Sequence, residues 1–285
     1  MLLATVKGGA ESPTSAAVGD ADGWVLLDHP DAQSFSAVPG WRHAAEAALR
    51  HRARRALPDD AFLAPIPRPS KILCCGLNYR DHIAETGRDV PTFPTLFAKF
   101  ADTLTGARDD IWVRDSERVD WEAELAVVVG AELDRATSAE AQQAILGYTV
   151  ANDISMRDWQ QRTVQWLQGK AFDATTPIGP HIVTADAIEP RDGLRITCSV
   201  NGEVQQTGNT AELVFDAADL VAYVSQFTRL RPGDLILTGT PGGVALGMDE
   251  PRWLCGGDVV STFIEGIGEL RNRIRREAGE CRATR

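Results

Sequence analysis

Cysteine is scarce in this chain: Cys74, Cys75, Cys198, Cys255 and Cys281 make an odd set with no C-x-x-C pair, which excludes a thiolate zinc site and gives no disulfide framework. Cys74 and Cys75 sit together in the apolar run ILCCG at 72–76 and are expected as small core residues on opposite faces of a strand. Long apolar runs are missing too. No stretch approaches ~18 residues, and the N-terminal MLLATVK lacks the charged-then-apolar order of a secretory signal, so a cytoplasmic protein is expected. Positive charge is in deficit, with 29 Lys and Arg against 40 Asp and Glu and a net charge of −11. That balance argues against nucleic acid or an anionic membrane as partner, and an anionic substrate needs locally placed cations. The P-loop ending G-K-[ST], the dinucleotide fingerprint and the G-x-S-x-G elbow are all absent. What remains is ordinary globular composition, 44% hydrophobic and 24% charged, which leaves no case for disorder.

The acids are informative by their spacing. Glu122 and Glu124 in DWEAEL run directly into AVVVG, which reads as a buried strand, and a period of 2 points both carboxylates to one face. A bare Glu-x-Glu is most often a wet strand edge. If buried, each carboxylate suffers a desolvation cost of several kcal/mol or takes up a proton, unless a cation joins the pair. All-oxygen ligation favours Mg²⁺, Mn²⁺ or Ca²⁺ over Zn²⁺. Further on, 148–153 is a strand candidate ending in Asp153, a third carboxylate for such a site. If the chain turns helical there, Asp153, Arg157 and Gln160 share one face at i, i+4 and i+7, and the planar fork of Arg157 suits a substrate carboxylate. His82 and Glu85 in GLNYRDHIAE are spaced i, i+3, so on a helical turn the acid orients the imidazole as an acid–base pair.

Residues 1–68 read as a small separate unit, with strands at 3–6 and 24–27 and a basic helix over 42–56, closed by the linker-like PIPRP at 65–69. Residues 69–285 read as a β-rich α+β domain. Strands are predicted at 71–76, 122–130, 146–152, 180–184, 194–200, 203–206, 235–239, 258–264 and 268–272. Asn201-Gly202 is a type I′ hairpin signal, and Asp216 caps a predicted helix at 217–227.

In order along the chain, GLNYRDH at 76–82, VDWEAELAVVVG at 119–130, NDISMRDWQ at 152–160, GKAFD at 169–173, PGDLILTGTPGGV at 232–244 and IEGIGELRN at 264–272 closely resemble the fumarylacetoacetate hydrolase family. The match is to its shorter branch of acylpyruvate hydrolases, oxaloacetate decarboxylases and hydroxyheptadienedioate isomerases, over about residues 70–275. The resemblance implies a mixed β-sandwich roll with a small N-terminal α/β domain, and a homodimer. It implies that Glu122, Glu124 and Asp153 hold Mg²⁺ or Mn²⁺, with Ca²⁺ as a structural substitute, and that His82 with Glu85 is the acid–base dyad. It also implies that Lys170 stabilises developing charge, that Arg157, Gln160 and Thr240 contact substrate, and that 81–94 forms a lid. The leading expectation is hydrolytic C–C cleavage of an acylpyruvate or fumarylpyruvate-type 1,3-diketo acid through an enolate. Oxaloacetate decarboxylation and dienedioate isomerisation share that chemistry, and a metal-stabilised binding protein without turnover is the reading from another class. Ala245 and Cys255 depart from the family pattern and touch no proposed ligand.

Overall fold

The computed structural model describes residues 1–8, 12–85 and 89–276, with the side chains of His82, Ala84 and Glu85 outside the description. Two large sheets face each other. The first runs in the order Gly23–Leu26, Thr14–Asp20, Leu2–Lys7, Thr176–Thr184, Ile145–Asn152, Ala123–Val129, Leu235–Leu237, Ile72–Gly76 and Thr95–Lys99, and the short strand Leu104–Thr105 joins Thr176–Thr184. The second runs Glu203–Asn209, Arg195–Val200, Val259–Ile264, Gly268–Arg276 and Ile111–Val113. This is the β-rich sandwich-like fold expected, with its main core between the sheets.

The central strand Ala123–Val129 is buried at every position, as its continuous apolar sequence requires. Its alternation serves two cores. Leu125 and Val127 pack with Ile196, Val260 and Leu270 of the second sheet, while Ala126 and Val128 face the other way, onto a core with Ile72, Cys74 and Leu235. Glu124 has the parity of Ala126 and Val128, so it ends that second face. Neighbouring strands terminate at the same edge, and the polar site is built there.

The predicted boundary near residue 68 is crossed by backbone pairing. Leu2–Lys7 pairs with Thr176–Thr184 through Leu2↔Val183 and Leu3↔Ile182, so the N-terminal strands extend the sheet that carries the site. The linker-like segment is itself anchored: Ile66 is fully buried and the Thr5 hydroxyl donates to Pro65 O at 2.9 Å. The first long helix is Trp41–His51, shorter than predicted. It buries Ala45, Ala48 and Leu49 and ends where Arg52 turns extended, which lets Arg55 bridge to Trp24. Asn201 (φ 53) and Gly202 (φ 86) are both left-handed, as the predicted hairpin turn requires. Asp216 accepts from Asp219 N at 3.0 Å and caps the helix Ala217–Ser225. No helix among the described residues is long and apolar enough to cross a membrane.

Candidate metal centre

Antiparallel register assembles the acids. Ala151 pairs with Glu124 and Asn152 with Ala123, so Asp153, one residue past its strand, lies beside Glu122, one residue before its own. Asp153 N donates to Glu122 O at 2.9 Å, and Asn152 Oδ1 accepts from Glu122 N at 2.9 Å. Asn152 also donates to Thr262 Oγ1 of the facing sheet at 2.8 Å, which fixes the corner against both layers. Glu122, Glu124 and Asp153 each offer a carboxylate oxygen, and these oxygens all lie within 4.8 Å of one another. The acids are not a wet edge: Glu122 is 8% exposed, Glu124 1% and Asp153 0%. No other acid, histidine or cysteine cluster of this kind occurs among the described residues.

Beyond Asp153 the chain does not turn helical at once. Ser155–Met156 forms a short strand pairing with Val119–Asp120, and only then does the helix Arg157–Gln160 begin. The three side chains still converge, although not along one helical face. Arg157 Nε donates to Asp120 Oδ2 at 2.8 Å, Nη2 lies 2.6 Å from Glu122 Oε1, and Nη1 donates to Gln160 Oε1 at 2.8 Å. All three guanidinium nitrogens are therefore engaged within the protein, and Arg157 braces Glu122. Thr240 lies on the loop beside Glu124, its hydroxyl accepting from Gln206 Nε2 at 2.8 Å, while Gly239 N donates to Glu124 Oε2 at 2.7 Å.

Lys170 enters from the short helix Leu167–Lys170 and donates to Glu122 Oε2 at 2.6 Å and Asp153 Oδ2 at 2.9 Å. Lys99 donates to the other Asp153 oxygen. His82 and Glu85 lie on the single helix Arg80–Glu85, so their i, i+3 spacing is a helical one, but their side chains lie outside the described residues. The segment leading into that helix is tied to the metal-side loop. Asn78 Nδ2 donates to Thr238 O at 2.8 Å, and Asp81 Oδ2 accepts from Gly242 N at 3.4 Å. Of the expected lid, residues 86–88 lie outside the described residues, and Val90 and Phe93 beyond them are exposed.

Three side chains bonded into the site escaped the sequence reading. Asp120 accepts from Ala245 N at 2.8 Å and Leu246 N at 3.0 Å while holding Arg157, so it couples the glycine loop to the site. Gln206 ties Ala123 N to the Thr240 loop. Lys99 lies on an edge strand with no motif of its own. Asp120 adjoins the glutamate motif in sequence, and that adjacency was the one available signal; its burial is seen in the structure.

The electrostatics fit a cation. Burial works to raise the Glu122 carboxyl, but the Lys170 and Arg157 charges outweigh it and hold it down at about 2. Glu124 is pushed well above the ordinary carboxylate range by burial and then by the charges of Asp153 and Glu122, because its own partners are a backbone amide and a distant lysine. Lys170 is raised: burial disfavours its charge, and Asp153 and Glu122 more than restore it. One acid of three thus cannot keep its charge with the protein's own cations. A hard divalent ion with oxygen ligands removes that conflict.

A pH dependence follows. Glu124 is raised on folding, so in metal-free protein its contribution is fully present below ordinary carboxylate pH and is lost as pH rises through its elevated folded value. Glu122 is depressed, so its contribution is present above ordinary carboxylate pH and is lost only as pH falls toward about 2. Thermal midpoints in chelator are expected to decline as pH rises above the ordinary carboxylate range. Added Mn²⁺ should flatten that decline with proton release, measurable by calorimetry in two buffers of different ionisation enthalpy. An unchanged pH profile with Mn²⁺ counts against the assignment.

Comparison with known proteins identifies the family. Residues 71–275 match the family model described as fumarylacetoacetate (FAA) hydrolase, C-terminal. The human mitochondrial oxaloacetate tautomerase FAHD2A is 46% identical over 216 residues, covering 75% of this chain and 69% of its own. Among solved structures, 2-hydroxyhepta-2,4-diene-1,7-dioate isomerase from Mycobacterium marinum superimposes with a TM-score of 0.77 at 32% identity, covering 98% of this chain and 100% of its own. Maleylpyruvate hydrolase from Sphingobium sp. SYK-6, in complex with manganese(II) and pyruvate, does so with a TM-score of 0.79 at 27% identity, covering 98% and 100%. The chain therefore belongs to the fumarylacetoacetate hydrolase family and is one of its metal-dependent enzymes.

Proposed function

We propose that this protein interconverts the keto and enol forms of a small α-keto acid, with oxaloacetate as the leading substrate. The observation that carries the reading is the buried triad Glu122, Glu124 and Asp153 with Lys170 bonded to two of its members. The 46% identity to a named oxaloacetate tautomerase supports the choice of substrate. Glu122, Glu124 and Asp153 would hold Mg²⁺ or Mn²⁺, which would supply Lewis acidity to the keto acid.

The chain's own residues do the rest. His82, oriented by Glu85, removes a proton from C3 of the keto acid, and the Lys170 ammonium delivers one to the C2 oxygen; the reverse reaction returns both. Arg157 and Gln160 act together to hold Glu122 in place, and Thr240 supplies a hydroxyl on the loop beside Glu124. Loss of this acid–base pair through His82→Ala is expected to lower turnover by roughly 10²- to 10⁴-fold while Mn²⁺ affinity stays within about twofold. Full turnover by the variant with metal bound would remove His82 from the mechanism.

Hydrolysis of an acylpyruvate or fumarylpyruvate is the second reading. It is favoured by the same His82/Glu85 spacing, which suits activation of a water for attack on a distal carbonyl. The deciding experiment offers oxaloacetate, acetylpyruvate and fumarylpyruvate to the Mn²⁺-loaded protein and follows enol decay, CO₂ release and incorporation of labelled water oxygen. Enol decay with neither CO₂ nor label establishes the tautomerase. Label in the product acid establishes the hydrolase. The same preparation, run by light scattering after chromatography, tests the proposed homodimer.

A further inference from the structure

Lysine is almost never fully buried unless paired, and on an edge strand it ordinarily faces water as a guard against further pairing. Lys99 breaks both habits. It ends the edge strand Thr95–Lys99, opposite Ile72, yet its side chain is 0% exposed and bonded to Asp153, which is 0% exposed as well. Asp153 is therefore held on one oxygen by Lys99 and on the other by Lys170. The two lysines differ. Lys170 also reaches Glu122 and lies 5.2 Å from the Phe97 ring centroid, whereas Asp153 is the single carboxylate that Lys99 contacts among the described residues. Lys99 has no exposed side-chain surface, and its bond to Asp153 is what the structure gives it.

Charge balance shows what it does. Asp120, Glu122, Glu124 and Asp153 are four buried carboxylates, facing the three buried cations Lys99, Arg157 and Lys170. With all four carboxylates ionised, as a bound divalent ion requires, the ion turns this surplus of one negative charge into one positive charge, which suits an anionic keto acid. Without Lys99 the loaded site is neutral.

We propose that Lys99 is a built-in counter-ion of the triad: it holds Asp153 in place without metal, competes with the divalent cation for that carboxylate, and leaves the loaded site positive for an anionic substrate. The proposal rests on the metal reading of the triad and makes Lys99 a positioning residue. Its consequence runs opposite to that of losing a ligand, because deleting a site residue is expected to tighten metal binding.

The test is titration of full-length metal-free protein with Mn²⁺ by calorimetry, followed by pyruvate at saturating Mn²⁺, for the unaltered chain, Lys99→Met and Lys99→Arg. Removing one nearby positive charge in a buried site predicts Mn²⁺ binding by Lys99→Met at least about tenfold tighter, and pyruvate binding about tenfold weaker. Lys99→Arg, which keeps the charge, is expected to move both constants back toward those of the unaltered chain. The gain in thermal midpoint on adding Mn²⁺ is expected to be larger for Lys99→Met than for the unaltered chain, since the ion replaces the missing charge on Asp153. Equal or weaker Mn²⁺ binding by Lys99→Met overturns this proposal and leaves the metal site standing. So does a Lys99→Met chain that Mn²⁺ cannot restore to the folded state. Absence of Mn²⁺ binding by the unaltered chain overturns the metal reading and this proposal together.

Discussion

Asp153→Asn is expected to lower kcat/KM by about 10³-fold, the equivalent of roughly 4 kcal/mol of lost charge stabilisation, and to weaken Mn²⁺ binding in parallel. The substitution is nearly isosteric, so the effect is one of charge. Asp153 is fully buried and takes bonds from both Lys99 and Lys170; an amide in its place leaves the buried Lys99 ammonium without its carboxylate and Lys170 with Glu122. Breaking a buried ion pair from one side costs about 3 to 5 kcal/mol, so the thermal midpoint of the metal-free variant should fall by many degrees. Steady-state kinetics at saturating Mn²⁺ and thermal unfolding in chelator measure the two losses separately. A variant with activity within tenfold of the parent and an unchanged Mn²⁺ titration would remove Asp153 from the site.

The second large effect is steric. Gly169→Ala is expected to destabilise the fold by about 2 to 3 kcal/mol and to cut activity by at least tenfold through displacement of Lys170. A Cβ at 169 would lie 2.5 Å from Gln160 N, from Gln160 Cβ and from Met156 O, and two of these are backbone atoms that cannot move aside. Gly169 is the point where the helix Leu167–Lys170 touches the helix Arg157–Gln160, so the close approach that sets Lys170 between Glu122 and Asp153 depends on a missing side chain. Denaturant unfolding with Mn²⁺ present reads the stability loss. A wild-type midpoint and wild-type kcat would show that the neighbouring turn adapts freely.

Much of the architecture was legible because strand signals are local. The buried run at 123–129, the Asn201-Gly202 turn and the cap at Asp216 each arise from residues within one element, and the structure places them within a residue or two of prediction. The strands Thr14–Asp20, Thr95–Lys99 and Ile111–Val113 were missed, and all three are short or carry polar residues that dilute the alternation. The linker-like 65–69 segment misled for a physical reason. Proline and arginine give it the composition of a spacer, yet the burial of Ile66 and the Thr5 bond to Pro65 O anchor it in a core that no local pattern announces.

At the site, the division falls between parity and partnership. The period of a strand puts Glu122 and Glu124 on one face whatever surrounds them, and the order of motifs assigns the family, so the acids and their family were determined by the sequence alone. Which charge meets which was decided by the tertiary structure. Arg157, expected to offer its fork to substrate, is drawn to Asp120 and Glu122 because the pairing of Ser155 with Asp120 brings those residues under it. Lys99 reaches Asp153 across 54 residues of chain, through the packing of an edge strand against the end of a central one. Ion pairs of this kind depend on distances of a few ångströms between strands that are remote in sequence, and side-chain periodicity carries no information about that register.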